Sequence, residues 1–278
     1  MPFVAAYLDN PAGRLFRLLT LIGKTVNTPI HRAWSSALGL PEGSTSDLFR
    51  GLSYVYELPD QIDLEIGRIE DPEAVPELAL RWRGGVRSSL SEMIFSDKTT
   101  SHITPHLDTA TMVSLETCSY FLHLYRPQVM PGEADLARIA ELVGQLEAEV
   151  TVSSFTDSEL QEFLLSHVRA MTRALNEVAV RGAVALEEAL DKAVGAACRR
   201  VDLAVRSQEN PSAWRKFGEV IVAIAAVLQI TTTALALPAD VRAAIEGPPS
   251  PERAVEVIVV SPQAEVPPST AAGDTKQH

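Results

Sequence analysis

Apolar residues recur along this chain at steps of three and four, the spacing that keeps side chains on one face of an α-helix. Asn10-Pro11 supplies a side-chain cap and a proline suited to a first helical turn. After it, Leu15, Leu18, Leu19 and Ile22 make one apolar face, with Arg14, Arg17 and Lys24 elsewhere on the helix. A basic amphipathic helix of this kind packs on a core or lies on an anionic membrane surface, and the first use is the ordinary one in globular proteins. Pro29 restarts the chain into a short helix around Trp34, closed by Gly39-Leu40-Pro41-Glu42-Gly43. Ser44-Thr45-Ser46-Asp47 then announces a helix whose seam is Leu48, Leu52, Val55, Ile62, Ile66 and Ile69. That seam is coiled-coil-like in spacing, and Pro59 on it is expected to kink or break the rod.

Pro72 and Pro76 open the next helix, with Val75, Leu78, Trp82, Val86, Leu90 and Met93 on one side. Inside it Gly84 and Gly85 each cost about 1 kcal/mol relative to alanine, so they predict a bend or a close approach to another backbone. A further helix is predicted from near Thr104, carrying Leu107, Leu115, Cys118, Leu122 and Tyr125 at helical steps, and another carries Leu136, Ile139, Val143, Leu146 and Val150. Thr156-Asp157 caps the longest periodic stretch, from Leu160 through Leu164, Val168, Met171 and Val178 to Leu186, Leu190, Val194 and Val201. That stretch is one rod or a hairpin broken near Gly182, and periodicity does not decide between them. Its second half is rich in small residues, which let another helix come close.

The longest uncharged apolar run lies within Trp214–Leu237. From Val220 to Leu237 it holds no charge, proline or glycine, nearly enough rise to match a bilayer's hydrocarbon core. Val220, Ile224, Val227, Gln229 and Leu235 mark its candidate membrane or oligomer face. Arg199, Arg200, Arg206, Arg215 and Lys216 give it a basic approach, which by the positive-inside rule would leave the N-terminal body in the cytoplasm. The counterweight is polarity within the run: Gln229 and Thr231-Thr232-Thr233 suit a buried core helix as well as a span. Residues 247–278, rich in proline, serine and threonine, read as a disordered tail, with a β-branched stretch at 255–260 able to add to a partner's sheet.

The fold class expected is therefore all-α: an extension over 1–10, a multi-helix bundle over 11–208, an apolar helix over 214–237 and the tail. Composition narrows the chemistry. With 36 acidic against 24 basic residues and a net charge of -12, the composition argues against a general nucleic-acid binder, which needs a concentrated positive face, and leaves room for a local basic patch. Arginine outnumbers lysine and alanine is abundant, a bias typical of GC-rich bacterial or phage genomes. Cys118 and Cys198 stand far apart, giving no disulfide framework and no CxxC pair, as expected of a reducing cytoplasm. An acidic residue and a proline stand in the N-terminal segment where a signal peptide would need a basic start and an unbroken apolar core.

Candidate chemistry is sparse. The acidic stretch from Glu57 to Glu77 fits neither a calcium loop nor a paired-carboxylate motif and reads as a solvated face, with Arg81, Arg83 and Arg87 nearby to pair with it. His102, His106 and Asp108 are residue types that ligate metals, but Pro105 interrupts the helix face they would share, and no HExxH glutamate accompanies them. No phosphate loop, GxSxG elbow or alternating strand–helix pattern is present, and the cofactor stays unknown from sequence. Three function classes follow. One is a non-enzymatic helical interaction or effector protein, membrane-associated through its apolar helix and of an architecture suited to bacterial or phage conflict. The second is a soluble helical scaffold or adaptor with 220–237 as core. The third is a metal-dependent enzyme built on the His102/His106/Asp108 loop. A protein partner or self-association is expected in the first two.

Overall fold

A computed structural model describes residues 7–230, apart from 42, 72–74, 93–97, 153–154, 156, 201 and 204–209. Its helices in chain order are α1 (Pro11–Gly23), α2 (Ile30–Ala37), α3 (Thr45–Gly67), α4 (Trp82–Ser91), α5 (Thr109–Tyr125), α6 (Glu133–Val152), α7 (Ser158–Arg181), α8 (Val184–Arg199) and α9 (Pro211–Val227). Short 3₁₀ turns stand at Glu77–Leu80, Thr100–His102 and Thr104–His106. The fold is all-α, and the described residues form no strand beyond one isolated bridge between Pro29 and Thr99.

Local signals set several helix starts. Asn10 accepts from the Gly13 N–H at 3.0 Å and Pro11 follows it. Asp108 accepts from the Thr111 N–H at 2.7 Å, and Asp157 from the Glu159 and Leu160 N–H groups at 3.0 and 3.2 Å. Each such cap satisfies a donor the helix leaves orphaned and is worth about 1 kcal/mol.

Two apolar cores form. The first joins α1 to α5, with Leu15, Ile22, Trp34, Leu58, Trp82 and Leu122 among its fully buried members. The second joins α6 to α9 through Val143, Leu164, Met171, Leu190, Trp214 and Phe217. Helix α7 serves both, because Val180 near its end belongs to the first core. The small residues of α8 find their partner within the chain: Ala185, Ala189, Ala193 and Ala197 are buried in the second core against α7.

Tertiary packing decides three points that periodicity leaves open or misplaces. Helix α3 is continuous through Pro59 rather than broken; the proline and its neighbours Val55, Leu58 and Ile62 are all buried, so the core holds the turn that lacks one backbone bond. The long periodic stretch is a hairpin. It turns at Gly182, whose φ of 66° and ψ of -149° lie in a region open essentially to glycine alone. Arg14, placed off the apolar face by its charge, is instead only 3% exposed. Its Nε donates to the Val180 carbonyl at 2.9 Å and its Nη1 to the Leu8 carbonyl and Gln128 Oε1 at 3.4 Å. A cation at a helix C-terminus faces the negative end of the dipole, so Arg14 closes α7 from across the fold. Burial pulls its pKa down to about 10, and it stays charged at neutral pH.

The glycine pair in α4 makes no break. A Cβ on Gly85 would meet the His106 carbonyl oxygen at 2.6 Å, whereas one on Gly84 meets nothing, so close approach at Gly85 is what the pair serves. Arg83 and Arg87 reach the acidic face of α3 as the opposite signs predict, Arg83 to Asp63 at 2.8 Å and Arg87 to Asp60 at 3.0 Å.

The helix expected over 214–237 is shorter than its apolar run. α9 ends at Val227 because Gln229 adopts a φ of 58° and the chain closes a Schellman turn: the Gln229 N–H bonds the Ala226 carbonyl at 3.1 Å and the Ile230 N–H the Ala225 carbonyl at 2.9 Å. Ile230 packs against the second core, which offsets the left-handed backbone of a non-glycine residue. Among the described residues no helix is long and apolar enough to cross a membrane. Residues 231–237 and the tail at 247–278 lie outside the described residues.

Candidate functional site

The loop that carries His102, His106 and Asp108 is two successive 3₁₀ turns followed directly by α5. The Asp108 carboxylate is the N-cap of that helix, and its bond from the Thr111 N–H holds its pKa below the ordinary aspartate range. His102 is exposed, with Nδ1 3.3 Å from the Thr99 carbonyl oxygen. The His106 carbonyl packs on Gly85 of α4, which fixes that turn as a helix-packing surface. Among the described residues no three His, Cys, Asp or Glu side chains are placed to hold a metal ion. The proposed ligand set is therefore not gathered: Pro105 splits the loop into two tight turns, and the carboxylate caps a helix.

Cys118 lies on the inner side of α5, and burial pushes its thiol up to about 12. A thiol with so little thiolate is no nucleophile at neutral pH.

On α9 the candidate membrane face turns inward. Val220 and Ile224 are fully buried in the second core, Val227 is half-buried against it, Gln229 ends the helix, and Leu235 lies outside the described residues. The basic approach is largely consumed within the fold. Arg200 contacts Glu159 at 2.6 Å and Asp202 at 2.9 Å, Lys216 reaches Glu149 of α6 at 3.0 Å, and Arg215 lies 3.6 Å from Glu219. Arg199 is exposed, and Arg206 lies outside the described residues. Glu149 also accepts from Ser212 Oγ at 2.6 Å, and these donors hold its carboxyl below the usual glutamate range. Of these cations, Lys216, within α9 itself, ties that helix to α6. Beside it a groove of about 600 Å³ runs between α6 and α9, lined by Ile139, Leu142, Val222, Ala223, Ala226 and Val227.

The surface of α5 holds what periodicity alone missed. Its inner side, with Leu115, Cys118 and Leu122, is buried between α1 and α4. Its outer side is also apolar: Val113, Tyr120 and Leu124 fall on one helical stripe and are 41%, 45% and 53% exposed. Tyr125, expected inside, is exposed as well. Aromatic rings extend the patch. Tyr7 stacks on His123 with centroids 4.1 Å apart and leans on Tyr120 at 5.9 Å, Tyr120 meets Phe121 edge-on at 5.8 Å, and Phe121 stacks on Tyr125 at 6.4 Å. Polar groups rim it: His123 Nδ1 is 2.6 Å from Asp9, and Arg126 donates to Glu65 of α3 at 3.3 Å. The sequence signal for this patch is that TATMVSLETCSYFLHLY carries apolar residues on every side with a single carboxylate, Glu116. A helix with that pattern needs cover all round.

No protein family, curated protein or solved structure matches this chain.

Proposed function

We propose that this chain is a non-enzymatic helical interaction protein, a scaffold in which α9 belongs to the core and the outer face of α5 meets a protein partner or a second copy of the chain. The observation that carries the reading is the concentration of exposed apolar side chains on that one helix: Val113, Tyr120, Leu124 and Tyr125, with Tyr7 and Phe121 beside them. Single exposed hydrophobics are ordinary on a protein surface, whereas a contiguous patch with a polar rim is the mark of an interface. Tyrosine is favoured there because it supplies a large rigid contact and a hydroxyl that tolerates water. The buried α9 and the capping role of Asp108 support a scaffold over a membrane anchor or a metal enzyme.

Photocrosslinking in cells tests it. A benzophenone amino acid replaces Tyr120 in one version and Glu187, exposed on α8, in another. The Tyr120 version is expected to give one adduct of discrete mass, lost when Leu124→Glu is added, and that mass says whether the occupant is this chain or another protein. Identical adduct patterns from the two positions, or none from Tyr120, would overturn the reading. Truncating a central tyrosine of such a patch costs about 2 kcal/mol of binding, roughly thirtyfold in Kd.

A further inference from the structure

A second surface, lined by residues of α3, α7 and α8, has a chemistry that the α5 face lacks. These residues line an open cleft of about 250 Å³ whose walls bear Arg50, Tyr54, Arg173, Arg181 and Lys192. Alanines 170, 174, 185 and 189 form its floor, so nothing bulky stands between a ligand and the two helix backbones. Two carboxylates line it, Glu177 and Glu188, and both are engaged by Arg181 at 3.1 and 2.5 Å. Arg181 is fixed further by the Tyr54 ring, 4.5 Å beneath its guanidinium. Arg50 is held by Asp47 at 3.1 Å.

Two cations are left over. Among the described residues no carboxylate lies within ion-pair distance of Arg173 or Lys192; Arg173 spends only its Nε, on the Arg169 carbonyl at 3.2 Å. The cleft therefore keeps positive charge in a chain whose net charge is -12. We propose that it is a binding site for a small phosphorylated molecule, with Arg173 and Lys192 meeting the phosphate. Arginine's planar fork accepts a phosphate through two parallel hydrogen bonds and lysine adds a point charge. The alanine floor takes the organic part. The volume sits just below the range of drug-sized pockets, which sets the organic part at a few carbons or a single sugar. This site is independent of the α5 face, and either stands if the other fails.

Titration of the full chain with inorganic phosphate and then ribose 5-phosphate at low salt, followed by calorimetry, tests it. The expected result is saturable binding of both, tighter for the sugar phosphate, and weakened at least tenfold in Arg173→Ala/Lys192→Ala. Both side chains lie in an open cleft, and circular dichroism checks that the variant keeps its fold. Arg138→Ala, a cation on the α6–α9 groove, serves as the control and leaves binding unchanged. The proposal is overturned by absence of saturable binding, by equal affinity in the double variant, or by an equal loss in Arg138→Ala, which would mean diffuse attraction to surface charge.

Discussion

Phe217→Ala separates the two roles open to α9. The Phe217 ring is fully buried, 5.5 Å from Trp214, 5.9 Å from Phe163 in an edge-on contact and 5.9 Å from His167. Removing a buried phenylalanine costs about 3–5 kcal/mol, from lost transfer energy and the cavity left behind, and the aromatic contacts place this one near the middle or above. The expected loss is about 4 kcal/mol, a large share of the ~5–15 kcal/mol that holds a typical domain. Val222 on the same helix is 42% exposed, and its replacement by alanine should cost about 0.5 kcal/mol or less. In urea, with a slope of about 2 kcal/mol per molar, these become a midpoint lowered by roughly 2 M for Phe217→Ala and by a few tenths for Val222→Ala. Unfolding of purified protein followed by circular dichroism reads both. A Phe217→Ala midpoint within ~0.5 M of the parent, on that same slope, would show that the helix is not part of the core and would return the apolar run to the membrane reading.

Gly182→Ala should destabilise by about 2–4 kcal/mol, since φ of 66° strains a side chain and the new Cβ would stand 2.7 Å from Arg14 Nη1. In an Arg14→Met background the penalty should shrink toward the backbone cost alone, and an equal penalty in both backgrounds by urea unfolding would refute the coupling. His167 is buried against Phe163 and Phe217, and desolvation, then the charge of Lys192, lowers its pKa to about 4. Because the unfolded chain takes up that proton near 6.5, its contribution is fully present above that pH and declines as pH falls to about 4, by up to about 3 kcal/mol. In His167→Gln that part of the pH–stability curve should flatten; an unchanged curve would sink the assignment. His102→Ala/His106→Ala should leave the melting temperature unchanged with or without zinc, and a zinc-dependent rise in the parent that the variant loses would restore the metal site.

What was legible in the sequence was local. Asn10, Asp108 and Asp157 cap helices through partners two or three residues away, so their work can be read from neighbours. Asp108 also shows how one residue type can suit two tasks. Its type suits a metal and a cap equally, and only the Thr111 N–H decides. The points that were not legible depend on distant groups. Whether the chain breaks at Gly182 is settled with Arg14, far away in sequence, and Gly85 is needed because the His106 carbonyl lies against it. Pro59 reads as a break until the burial of Val55 and Ile62 around it is known. The end of α9 had no local sign at all, since neither glycine nor proline stands at 228–230 and the left-handed residue is Gln229.

The α5 face was illegible for a different reason: the steps of Leu115, Cys118 and Leu122 mark the inner side, but the same steps do not tell that the outer side is apolar as well and left uncovered. The same fact bounds what the face can do. Fully burying a large apolar side chain is worth about 1.5–3 kcal/mol, and Val113, Tyr120, Leu124 and Tyr125 are each roughly half exposed, so covering all four yields about 3–6 kcal/mol. Association itself costs at least about 4 kcal/mol in lost freedom. The stripe alone therefore makes no tight complex. A stable interface has to reach past it, over Tyr7 and Phe121 and onto the Asp9–His123 and Arg126–Glu65 rim, where charge pairing fixes orientation. It follows that Arg126→Glu, which leaves every apolar contact in place, should weaken the complex and slow its formation. A complex indifferent to that change would have to be built on the apolar stripe alone and would be weak.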